Sequence, residues 1–155
     1  MALIRKLVYD DHTKPVYENE PLGLDELASI LEFVRNDDYY PNLFSKAAYL
    51  LVTISTGHKF GNGNKRLALF TYIYFLHRNK IIIRPRRVKA YRKWFKQHFP
   101  NYKMSKHDFY SNAGWALYNF NRCINIKKEE KPNGHSYSHD ELKTLAEKFT
   151  ELVYK

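Results

Sequence analysis

The chain has 155 residues, 44% of them hydrophobic, one cysteine and a net charge of +10: enough for one domain with a real core, too few for two, and without an intrachain disulfide or a cysteine metal cluster. No apolar run approaches the roughly 18–20 residues of a membrane span, and the start "MALIRKLVYDD" lacks the long apolar stretch and small-residue cleavage site of a signal peptide. The expectation is a cytoplasmic protein without a membrane partner, whose positive charge favours nucleic acid, nucleotide or an acidic protein surface.

In chain order, residues 3–9 ("LIRKLVY") read as a short strand and 10–23 as an exposed loop or hairpin with two prolines. Residues 24–36 carry apolar side chains at 27, 30, 31 and 34, the helical period. Residues 43–57 are apolar nearly all round, which places this helix in the core, and Gly57 marks its stop. A loop at 58–63 leads into a largely apolar helix at 64–80, with Asn64 at or near its N-cap. An extended link at 81–85 ends at Pro85, and 86–99 form a basic helix. Residues 105–126 read as a long helix capped by Ser105. A linker rich in charge, Pro, Gly and Ser occupies about 127–137. The closing stretch, about 138–155, is an amphipathic helix with apolar residues at 142, 145, 149, 152 and 153. The expected class is all-α, a single domain over 1–155.

The chemistry concentrates in "GHKFGNGNKR", residues 57–66. Lys65 and Arg66 stand at the start of a helix, the end whose dipole is already positive, where each costs a few tenths to about 1 kcal/mol. Asn62, Gly63 and Asn64 form a turn whose backbone N–H groups make an anion site, and arginine grips phosphate with two parallel hydrogen bonds. His58, one turn upstream, is the usual side chain for proton transfer near neutral pH. Phe60, apolar in a polar loop, plugs into the core. Phosphoryl transfer needs positioning, charge stabilisation and a base at the attacking hydroxyl. The spacing of a Walker loop is absent.

"HKFGNGNKR" resembles the signature of the Fic/Doc superfamily, H-x-F-x-[DE]-G-N-[GK]-R. The lysine before the arginine is similar to the death-on-curing (Doc) branch, whereas typical Fic AMP transferases carry glycine there. The resemblance covers roughly residues 20–83, a motif core within a Fic/Doc-like helical bundle, and it implies the following. ATP binds with its phosphates at the start of the motif helix. His58 is the base that deprotonates a target hydroxyl. Phe60 anchors the loop, Gly61 and Asn62 belong to the nucleotide-binding loop, and Gly63 and Asn64 shape the phosphate cradle. Lys65 and Arg66 hold phosphates. In the Doc branch the γ-phosphate is transferred, the target is the translation factor elongation factor Tu, and the protein is the toxin of a toxin–antitoxin pair. The sequence departs from the family at Asn62, where an acid helps bind Mg²⁺. Asparagine keeps an oxygen ligand there and loses the charge.

Two alternatives accompany this reading: a Fic-type AMP transferase, and a catalytically weakened nucleotide- or RNA-binding module, which Asn62 favours and His58 opposes. The 84–96 helix holds Arg84, Arg86, Arg87, Lys89, Arg92, Lys93 and Lys96 without an acid, interleaved with Tyr91, Trp94 and Phe95. It reads as a solvated cationic face over an aromatic inner stripe, with nucleic acid or an acidic protein as the competing reading. His135 and His139 are four apart without further ligands, so no metal is expected there, and Cys123 reads as inert core. No Ser or Thr has Glu four residues later, so the inhibitory pattern [ST]-x-x-x-E-[GN] of some Fic proteins is missing. The inhibitor is then expected on a separate antitoxin chain.

Overall fold

The computed structural model describes residues 17–126 and 136–155. Among them the chain is all-α, as expected. A 3₁₀ turn at Tyr17–Asn19 precedes α1 (Pro21–Phe33), α2 (Leu43–Thr56), α3 (Asn64–Arg78), α4 (Val88–His98), α5 (Asn112–Cys123) and α6 (His139–Val153). The strand expected at 3–9, the loop at 10–16 and the linker at 127–135, with His135, lie outside the described residues.

Helix α2 is the axis of the core. Its residues Ala47, Ala48, Leu50, Leu51, Val52 and Ile54 are all buried, and each large aliphatic side chain contributes roughly 1.5–3 kcal/mol through burial. Asn42 starts it with a capping box, accepting from Ser45 N at 2.8 Å while Ser45 Oγ accepts from Asn42 N at 3.2 Å. Helix α2 packs against α3 on one side and α6 on another. The C-terminal helix is therefore a full member of the core. Ser138 and Glu141 cap it reciprocally, and Leu145, Phe149 and Val153 are buried at the expected positions. Phe149 stacks on Phe120 of α5 with ring centroids 4.3 Å apart. Beyond the helix end, Lys155 and Ile82 exchange backbone hydrogen bonds.

Helix α1 begins at Pro21, where residues 10–23 read as a loop; Pro21 stands at the first helical position, where its missing N–H costs nothing. Helix α5 begins at Asn112, seven residues after the expected cap. Ser105 instead lies across α5: its N–H donates to Asn119 Oδ1 at 2.9 Å and its carbonyl accepts from Trp115 Nε1 at 2.9 Å. Ser111 is the true cap, accepting from Gly114 N at 3.0 Å.

Helix α4 buries Tyr91 and Phe95 and exposes Arg87, Lys89, Arg92, Lys93 and Lys96. This is the cationic face over an aromatic stripe. Cys123 is a free, buried thiol whose surroundings push its pKa well up, so it is no nucleophile. No helix among the described residues is long and apolar enough to cross a membrane.

Candidate active site

Helix α2 ends at Gly57, whose backbone is right-handed; the chain reverses at His58, which takes the left-handed conformation with φ 48°. A residue with a Cβ pays for that geometry, and such strain gathers at functional positions. The loop then re-enters the core through Phe60, which is 3% exposed. Asn64 closes it: its Oδ1 accepts from Phe60 N at 3.0 Å and its Nδ2 donates to Phe60 O at 2.6 Å. This side chain, expected to shape a phosphate cradle, holds the loop and also lines the cleft described below. Gly63, with φ 81°, is the N-cap of α3, and no side chain caps the helix. That left-handed turn needs glycine.

The 3₁₀ turn and α1 clasp the loop from outside. The Tyr17 ring meets Phe60 edge-on at 4.9 Å, and its hydroxyl donates to Gly63 O at 3.1 Å. Burial raises the Tyr17 pKa, and the Arg66 charge partly offsets the rise. Glu20 Oε2 accepts from Gly61 N at 2.7 Å, and Glu26 pairs with Lys59 at 2.8 Å. Gly23 is buried against the loop; a Cβ there would come within 2.5 Å of Lys59 O and 2.7 Å of the Phe60 ring.

The front of the loop faces a cleft of about 330 Å³. His58, Gly61, Asn62, Gly63, Asn64, Lys65 and Arg66 all line it. Phe60 stays beneath. Three residues absent from the sequence reading complete the walls: Ser55 of α2, and Tyr118 and Asn121 of α5. Asn121 Nδ2 donates to Lys65 O at 2.9 Å and so fixes the first turn of α3. Its Oδ1 accepts from Ser55 Oγ at 2.7 Å, and Asn125 Nδ2 donates in turn to Ser55 Oγ. Asn121, a buried amide on a largely apolar helix, was the available signal, because buried amides require partners.

The donor set does not fit a metal held by the protein alone. Asn62 Oδ1, the expected ligand, accepts from Gly63 N at 2.7 Å and faces Arg66 Nη2 at 3.5 Å, so a cation already stands at that oxygen. Among the described residues no group of three or more His, Cys, Asp or Glu side chains is placed to bind a metal.

An uncapped helix start, two cations and an exposed histidine on one cleft make an anion site with a proton acceptor beside it. Residues 7–76 match the Fic/DOC family model. That match supports membership of the Fic/Doc superfamily and, in general, a Fic-type enzyme. Members of the family are transferases that carry out AMPylation or phosphorylation. No curated protein and no solved structure matches the chain.

Proposed function

We propose that this chain transfers the γ-phosphate of ATP to a hydroxyl of a protein target, in the manner of the Doc branch. It does so as the toxin of a toxin–antitoxin pair. The observation that carries the proposal is the convergence of His58, Lys65 and Arg66 on the cleft at the uncapped start of α3. Lys65 favours the Doc branch over AMP transfer, and elongation factor Tu is the target which that resemblance implies.

In the proposed step, an imidazole nitrogen of His58 takes the proton of the target hydroxyl. The hydroxyl oxygen bonds to the γ-phosphorus, the bond from that phosphorus to the β,γ-bridging oxygen breaks, and ADP leaves with the electron pair. Lys65, Arg66 and the first-turn N–H groups of α3 hold charge that the phosphates bring and that the transition state redistributes. Asn121 and Ser55 keep that turn in place.

Intact mass of elongation factor Tu after incubation with ATP tests the reading, since phosphate and adenylate differ plainly in added mass. Phosphate is expected. An adenylate adduct would replace the reading with AMP transfer, and an unmodified target would remove it. ATP at about 100 times its Kd should also stabilise the protein by about 2.7 kcal/mol, and Arg66→Ala should lose most of that gain.

A further inference from the structure

A second cleft, of about 290 Å³, opens beside the first and shares Lys65 with it. Lys103, from the segment after α4, and Arg122, on α5, join Lys65 in its lining, with Asn101, Tyr102 and Asn125 between them. No acid lines it. Among the described residues none of the three cations takes part in an ion pair. Arg122 leans over the Tyr118 ring, its guanidinium carbon 5.5 Å from the ring centroid, and Nη1 donates to the Tyr118 hydroxyl at 3.3 Å. The guanidinium is thus held at the wall between the clefts with further N–H groups to offer. Three like charges converging on one concavity repel one another, and a bound anion relieves that repulsion.

The anion is narrowed by what the cleft lacks. A nucleobase asks for an aromatic face to stack on. Here Tyr102 is tied through its hydroxyl to Asn119 at 3.0 Å, and the Tyr118 ring is already covered by Arg122. Cations spaced among amide side chains suit carboxylates, which accept bidentate bonds from arginine and single bonds from lysine. We propose that the second cleft docks an acidic stretch of the protein target beside its acceptor hydroxyl. This rests on the reading of the first cleft as the transfer site. Lys65 would then face both the phosphates and the acidic stretch, which places the hydroxyl near His58.

The test uses the full chain without ATP, so its outcome is separate from that of the transfer reaction. A fluorescein-labelled hexapeptide with three glutamates beside a threonine, and its glutamine counterpart, are titrated by anisotropy at low salt. The glutamate peptide should bind and the glutamine peptide should not. Lys103→Glu with Arg122→Glu should weaken binding about 10-fold or more, by removing two exposed ion pairs and adding two repulsions. Lys103→Gln with Arg122→Gln, a gentler change, should weaken it less, and both variants should keep the melting-temperature gain that ATP gives the wild type. Equal binding of the two peptides, or unchanged affinity in both variants, would overturn the proposal. So would loss of the ATP-dependent gain, which would assign the cleft to the nucleotide. Binding of a single-stranded oligonucleotide that the variants abolish while peptide binding persists would assign it to nucleic acid.

Discussion

His58 carries two separable properties, a side chain for proton transfer and a strained backbone, and two substitutions divide them. Both His58→Gly and His58→Ala remove the imidazole, so each should cut transfer by roughly 10²–10⁴-fold, the contribution of a positioned acid–base group. They differ in the backbone. The left-handed conformation at φ 48° costs a residue with a Cβ roughly 1–2 kcal/mol. Glycine is free of that cost and gives back about 0.5–1 kcal/mol through the greater freedom of the unfolded chain. The glycine variant should therefore be more stable than the alanine variant by about 0.5–1 kcal/mol, a rise in Tm of about 2–4 °C at the upper end for a chain of this size. The exposed ring loses little packing in either case. Thermal melts of the two variants, with transfer read as mass added to the target, decide the matter. A glycine variant melting at or below the alanine variant refutes the strain, and transfer within a few-fold of wild type in either variant refutes the base.

Two further expectations follow from the walls of the loop. Gly23→Ala should destabilise the protein by about 1–3 kcal/mol, the usual range for overpacking, because its Cβ would push on Lys59 O and the Phe60 ring; a melt within 0.5 °C or so of wild type would show that the loop yields there. Asn62→Asp should shrink the melting-temperature gain that inorganic phosphate gives in the absence of Mg²⁺ and make the gain responsive to Mg²⁺, and an unchanged gain in both conditions would show that residue 62 senses neither ion.

The helices were legible because their signals are local. Leu145, Phe149 and Val153 lie on one stripe, Ser138 and Glu141 form a cap readable four residues at a time, and the core took them as the period implied. The start of α5 was not legible, because Ser105 and Ser111 are equally good caps in sequence. Asn119 and Trp115, both later in the chain, decide between them by binding the backbone of Ser105. The site divides in the same way. The motif loop is contiguous, and all of its expected lining residues meet on one cleft. Ser55, Tyr118 and Asn121 come from helices whose pattern announces only burial, and their approach to α3 is a property of packing. Glu20 and Tyr17 lay in a stretch that read as loop, so their grip on Gly61 and Gly63 had no sequence signal at all.

The charges around the motif loop are sorted, and the sorting explains how this chain accommodates asparagine at position 62. Among the described residues, the acids Glu20 and Glu26 touch the loop, at Gly61 N and Lys59, and neither lines the cleft. Lys65 and Arg66 line it, and Lys103 and Arg122 line its neighbour. A carboxylate at position 62 would sit against Arg66, where Asn62 Oδ1 is now 3.5 Å from Nη2, and would neutralise part of the charge on offer to phosphate. Asparagine keeps the hydrogen bond to Gly63 N that shapes the helix start and adds no negative charge beside the guanidinium. Under the proposed function, asparagine at 62 therefore gives up metal affinity in exchange for anion affinity. With a net charge of +10 and an uncapped helix start at that point, the proposed phosphate binding would rest on cations and backbone N–H groups rather than on a metal held by the protein.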